Sequence, residues 1–269
     1  MRGRVRRSGD QATVIPPEAE EAVPAAPRRS SRRRVLRAGM ITGLGVIAAG
    51  AGLVAARRPW FADYATTPGE RTRAILPDGS VADLSTDTAI RLAFDGGGRR
   101  VTLDRGDAFF DVVADYNRPF SVAAGPGTVT ALGTAFAVAR EADDRVRVVV
   151  TRHAVRIEAG GRQATAIAGQ AGTYGPTGIG GLRAVDTTLA LAWRHGRLVF
   201  LSTPLGEVAA NLERWRRGRI LVMDQALAAR PVTAMIDVNR PEEVLDTLSR
   251  STPIRIVELT PLLTLIYPG

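Results

Sequence analysis

The chain has 269 residues, long enough for one large domain or two small ones with real hydrophobic cores. All 36 basic residues are Arg and there is no Cys, which excludes disulfides, thiolate catalysis, Cys-ligated metals and any phosphate loop built on Lys. The net charge of +9 is uneven: residues 1–37 hold ten Arg against four acids, whereas residues 57–269 hold 26 Arg against 23, so the high charge does not argue for a nucleic-acid-binding body, which would need a concentrated basic face.

In chain order, residues 1–37 read as a disordered Arg-rich tail, with Pro16, Pro17, Pro24 and Pro27 set among Ala and Glu and no helical period. Residues 38–56 carry no charge. As a helix they would span roughly 28 Å, against a hydrocarbon core of about 30 Å. Five glycines in that run cost too much for a buried soluble helix, at about 1 kcal/mol each relative to Ala. The arginines before the run outnumber Arg57 and Arg58 after it, which keeps the tail in the cytoplasm and exports everything beyond residue 60 or so. Within that flank, Ser31, Arg32, Arg33, Val35, Leu36 and Arg37 are similar to the twin-arginine export pattern. Arg57 and Arg58 make a poor cleavage context after Val54-Ala55-Ala56, so a retained single-pass transmembrane anchor is expected.

Residues 66–174 read as a mainly β exported domain, antiparallel, of sandwich, roll or solenoid type. Short apolar runs recur every ten residues or so, among them Val81 to Leu84, Val101 and Leu103, Phe120 to Val122, Val129 to Leu132 and Val146 to Val150. Turns separate them, most clearly Leu76-Pro77-Asp78-Gly79-Ser80 and Gly96-Gly97-Gly98. Residues 175–196 read as a linker. From 197 to 269 the pattern changes to a small α/β domain. There, Leu205, Val208, Ala209, Leu212 and Trp215 recur at helical spacing after Thr203-Pro204, strands follow at 220–222 and 232–238, and a second helix is expected from Pro241.

No catalytic constellation emerges from these residues, and no cofactor or metal is expected. His153 and His195 lack a spacing partner. Asp104, Asp107 and Asp111 cluster, which admits a reading as a glycosidic acid/base pair on Asp107 and Asp111, but carboxylates in β turns ordinarily cap and face solvent. Arg214, Arg216, Arg217 and Arg219 around Trp215 form a candidate patch for docking an acidic partner, or else the solvated end of a helix whose Trp belongs to the core.

Several segments, in order, resemble the FecR family: Pro68-Gly69-Glu70-Arg71, Leu76-Pro77-Asp78-Gly79-Ser80, Leu84-Ser85-Thr86-Asp87-Thr88-Ala89-Ile90, Leu103 to Val112, Arg118-Pro119-Phe120, Val129 to Phe136 and Ala168-Gly169-Gln170. Trp193 with Gly196 to Phe200 and Pro204-Leu205 is similar to the family's distal segment, which resembles the short signalling domains of secretins and TonB-dependent transporters. The resemblance implies a non-enzymatic inner-membrane signal transducer. On the periplasmic side its partner would be the signalling domain of a TonB-dependent outer-membrane transporter, and on the cytoplasmic side an extracytoplasmic-function sigma factor. Family members carry a folded helical cytoplasmic domain where this chain has residues 1–37, so the tail is either a truncated start, a segment that folds on its partner, or no sigma-factor grip at all. A periplasmic scaffold module without regulatory output and a carbohydrate-active enzyme remain the alternatives.

Overall fold

The computed structural model describes residues 62–141, 143–240, 249 and 253–269. The tail, the export pattern and the expected anchor at 38–56 lie outside the described residues, among which no helix is long and apolar enough to cross a membrane. Residues Pro59–Gly269 form one compact unit.

Its first part is all β. In chain order the strands are β1 (Tyr64–Ala65), β2 (Thr72–Ile75), β3 (Val81–Leu84), β4 (Ala89–Phe94), β5 (Arg99–Arg105), β6 (Asp107–Asp111), β7 (Phe120–Ala124), β8 (Gly127–Ala131), β9 (Ala135–Arg140), β10 (Val146–Arg152), β11 (Ala154–Ala159), β12 (Arg162–Ile167), β13 (Gln170–Gly175), β14 (Gly178–Ile179) and β15 (Arg183–Ala184). One sheet runs β1-β4-β5-β7-β8-β11-β12, and the other runs β14-β13-β10-β9-β6-β3-β2 with β15 on β13. The chain lays a hairpin or single strand in one sheet and then crosses to the other, repeatedly, so a two-layer β body is wound as a roll. Pairing is antiparallel throughout except between β5 and β7.

Alternation places every second residue in the shared core. Val101 and Leu103 of β5, Val122 of β7, Val129 of β8 and Ile157 of β11 face Leu84 of β3, Phe110 of β6, Val138 of β9 and Val148 of β10. Phe110 bridges the layers, its ring 5.5 Å from that of Phe120 and 5.7 Å from that of Phe136. Full burial of one such side chain contributes roughly 1.5–3 kcal/mol. Gly106 turns β5 into β6 at φ +89°, where an added Cβ would collide with Thr88, so no other residue fits.

The Leu76-to-Ser80 turn closes as its sequence predicts, with the Gly79 amide donating to the Leu76 carbonyl at 2.9 Å and Gly79 at φ +83°. Asp78 does more than shape it. Its carboxylate accepts from the Ser80 hydroxyl at 2.7 Å and from Arg99 Nη1 at 2.8 Å, and the Asp78 and Arg99 side chains are 4% and 1% exposed. Arg99 also donates to the carbonyls of Val113 and Arg118 and lies over the Phe120 ring. A buried guanidinium left without its carboxylate costs about 3–5 kcal/mol. Chemical denaturation of Asp78→Ala is therefore expected to show a loss of that size, while Arg73→Ala, at an exposed cation, should cost much less.

The second part begins with α1 (Thr187–Ala190), capped by Asp186, and a 3-10 turn at Ala192–His195. Next come β16 (Arg197–Pro204), α2 (Leu205–Trp215), β17 (Arg219–Val222), α3 (Gln225–Ala228), β18 (Pro231–Asp237), β19 (Ile254–Thr260) and β20 (Leu263–Pro268). Strands β16 and β18 pair antiparallel, and β17 pairs parallel with β20, which pairs antiparallel with β19. The stripe Leu205, Val208, Ala209 and Leu212 of α2 packs with Phe200, Ile220, Ile236 and Ile266 into a second core. Helix α3, which the spacing did not predict, is one turn capped by Asp224, whose carboxylate accepts from the Leu227 amide at 2.7 Å. The helix expected from Pro241 falls at 241–248, outside the described residues.

Candidate functional site

The chemistry of the body is concentrated on the outer face of the second sheet, where the C-terminal α/β part sits. Because Phe110 and Ala82 point into the roll, their neighbours Asp107, Phe109 and Asp83 point outward on adjacent strands. Phe109, Ala137, Val149 and Ala171 form an apolar strip there, covered by Leu191 and Trp193 with Val185, Leu198 and Trp215 packed around.

Polar clamps edge this strip. Arg194 Nε donates to Asp83 Oδ2 at 2.8 Å, and its guanidinium lies 3.5 Å from the centre of the Phe109 ring. Arg73 holds the other Asp83 oxygen at 2.6 Å. Burial pushes the Asp83 carboxyl up, but the hydrogen bonds from Arg73 and Arg194 outweigh it and the net shift is downward. That contribution is present above the ordinary carboxylate range and is lost as pH falls through the lowered value. Arg71 donates to the carbonyls of Trp193 at 2.9 Å and Arg194 at 3.1 Å, and to Asn239 Oδ1 at 2.6 Å. The Thr86 hydroxyl donates to the Arg214 carbonyl and accepts from the Gly69 amide. Gly69 is at φ +85° with the Trp215 carbonyl where a side chain would press. The family-like segments around Gly69, Arg71 and Thr86 are thus the ones that seat the C-terminal part.

Between the two parts lies a cavity of about 170 Å³ lined by Asp107, Arg147, Trp193, Arg197, Arg214 and Trp215 among others. Asp107 is buried, not the solvated turn acid that its sequence context predicts, because Gly106 turns the chain and β6 begins at Asp107 itself. Burial pushes its carboxyl up, with Arg147 and Arg214 opposing and Glu141 adding to the shift. Asp104 is paired with Arg91 and Asp111 with Arg152, both near the surface. Asp107 and Asp111 share a face four residues apart on one strand, roughly 13 Å, whereas glycosidic carboxylates stand about 5–9.5 Å apart.

The Arg-rich patch divides. Arg214 and Trp215 line the cavity, Arg216 pairs with Glu258 at 3.5 Å, Arg219 with Glu213 at 3.1 Å, and Arg217 is exposed. His153 sits in a turn at φ +59° with Nδ1 2.7 Å from the Gly133 carbonyl oxygen, and His195 is exposed. No group of three or more potential metal ligands occurs among the described residues. Reading by spacing missed Arg71, Asp83, Trp193 and Arg194; the sole available signal was that Arg71 and Trp193 fall inside family-like segments.

Seen whole, this is a β roll whose loops hold a second folded part against one face. Residues 62–156 match the family described as FecR protein. Two solved structures of a candidate anti-sigma factor from Parabacteroides distasonis ATCC 8503, at 1.65 and 2.50 Å resolution, each superpose with a TM-score of 0.67 at 26% identity. Each alignment covers 77% of this chain and 98% of the other, so it extends well beyond the FecR segment. No curated protein matches the chain.

Two measurements probe the junction. Arg71→Ala removes three hydrogen bonds across it and is expected to cost roughly 1–3 kcal/mol; hydrogen exchange should quicken at residues 187–198 while the β7–β8 hairpin stays protected. The raised Asp107 carboxyl implies that stability falls as pH rises from about 4 through its folded-state value. Asp107→Asn, which cannot ionise, should gain little over the native chain near that pH and progressively more toward neutrality. A pH-independent difference in melting temperature between the two proteins would contradict this.

Proposed function

We propose that the chain is a FecR-type regulator of an extracytoplasmic-function sigma factor, acting as a non-enzymatic, single-pass signal transducer of the bacterial inner membrane. The observation that carries this reading is the FecR match at 62–156 joined to a structural likeness that continues into the C-terminal part. The Arg-rich flank and the uncharged run at 38–56 support a cytoplasmic tail and a periplasmic body. On this reading residues 197–269, which resemble the short signalling domain of secretins and TonB-dependent transporters, meet the signalling domain of a loaded outer-membrane transporter. The junction passes that event to the body, and residues 1–37 present the result to the sigma factor.

The seat described above supports such a relay, because its contacts are mainly single hydrogen bonds and charge pairs at the rim of a small apolar strip. Contacts of that kind can be exchanged for a partner's at modest cost, unlike the continuous core of the roll.

The test is genetic and biochemical together. Deleting the chain, or only residues 1–37, should change transcription from the promoters of one extracytoplasmic-function sigma factor by several-fold. Crosslinking in intact cells followed by membrane solubilisation should recover that sigma factor and a TonB-dependent transporter. Protease added to spheroplasts should digest residues 62–269. A body shielded from that protease, or a regulon indifferent to the deletion, would sink the proposal.

A further inference from the structure

We infer that the cavity between the β body and the C-terminal part is a binding site for a small oxyanion, of the carboxylate or phosphate class. Nothing in this rests on the regulatory reading above.

Two residues that line this cavity each carry a buried polar atom without a hydrogen-bond partner among the described residues, Asp107 Oδ1 and Trp193 Nε1. Each residue is 6% exposed. Most buried polar atoms of a folded protein are satisfied, so two orphans in one space call for something to fill it. The chemistry of the lining says what. An indole N–H can only donate. Arg147, Arg197 and Arg214 can only donate, and of the three only Arg147 forms an ion pair among the described residues, with Glu141 at 2.8 Å. Asp107 is driven toward its protonated form by burial and then donates as well. A lining in which donors predominate, with the three arginines in excess of Glu141 and of Asp237 near Arg197, is matched by a ligand rich in acceptors and negatively charged. Water would satisfy the donors and leave the charge uncompensated.

Size narrows the class. A void of about 170 Å³ is close to one that accepts a benzene-sized molecule. It suits inorganic phosphate or a carboxylate of two to four carbons and is too small for a nucleotide. The lining comes from both parts, Asp107 and Arg147 from the roll and Trp193, Arg197 and Arg214 from the C-terminal side. A bound oxyanion therefore bridges them and tightens the seat.

The purified full chain in detergent would be titrated with succinate, with inorganic phosphate and with the neutral polyol erythritol at constant ionic strength, following thermal unfolding and intrinsic tryptophan fluorescence. Expected is a saturable rise in melting temperature with succinate or phosphate and none with erythritol, the stronger of the two anions naming the subclass. Arg214→Met and Trp193→Phe should each weaken that binding tenfold or more, whereas Arg217→Met, exposed beyond the same helix, should leave it unchanged. Affinity should also fall as pH rises and lose that dependence in Asp107→Asn. Should Trp193→Phe fail to fold, Arg214→Met decides alone. No saturable response to either anion would mean a cavity that holds water only, and an undiminished response in Arg214→Met would mean an ion bound elsewhere; either result overturns the inference.

Discussion

The arrangement turns on one side chain, Arg194. Its guanidinium donates to Asp83 and at the same time lies over the Phe109 ring. A cation over an aromatic face is worth about 0.5–1 kcal/mol when exposed and about 2 when desolvated, and a charge-assisted hydrogen bond about 1.5–3. Here both act on a group that shares its backbone with Trp193. Fixing Arg194 fixes the 3-10 turn, and the turn lays Trp193 on the strip of Phe109, Ala137, Val149 and Ala171. Without that clamp a contiguous apolar face on the second sheet would meet water, which folded proteins rarely tolerate outside a binding surface.

The absence of Lys has a structural meaning as well as an electrostatic one. Arg71 engages three acceptors across the junction and Arg99 three inside the body. A planar fork with five donors can join a turn, a neighbouring loop and a carboxylate in one stroke, whereas an ammonium on a flexible stem acts as a point charge. The body is nearly balanced in charge, and many of its arginines have a carboxylate within reach. Arg71 and Arg99 behave as structural rivets, each joining segments far apart in the chain.

Where local pattern decides structure, the sequence was readable. Alternation of Val101 and Leu103 with polar neighbours, the Pro-Asp-Gly turn and the 3-to-4 spacing from Leu205 to Leu212 each specify an element before any tertiary contact forms. What could not be read was which side chains the packing would enclose. Arg99 and Asp107 belong to residue types that normally face water. Arg99 is enclosed because the parallel β5–β7 pairing brings Pro119 and Phe120 beside it, and Asp107 because a second folded part covers its strand. Leu191 and Trp193 carry no local mark of the face they cover, since that face is assembled from β6, β9, β10 and β13, far apart in sequence. The same holds for Trp215, which continues the helical stripe on paper but turns to the junction instead of the second core.

Two aspartates on neighbouring strands make the sharpest contrast in the molecule. Asp83 and Asp107 share the outer face of one sheet and both are buried, yet their carboxyls shift in opposite directions. Asp83 has two guanidiniums within hydrogen-bonding distance, and Asp107 has arginines near enough to be felt but none bonded to it. If packing alone had shaped this face, an apolar residue at 107 would extend the strip beside Phe109 and remove the desolvation penalty. The chain instead keeps an acid there, opposite an indole N–H with no acceptor, at the boundary between its two parts. Breaches of the rule that buried polar groups are satisfied concentrate where a protein does something other than fold. Asp107 Oδ1 and Trp193 Nε1, two of the buried polar atoms left without a partner among the described residues, belong to residues that line one cavity, so at this boundary polar groups are kept where apolar ones would pack more favourably.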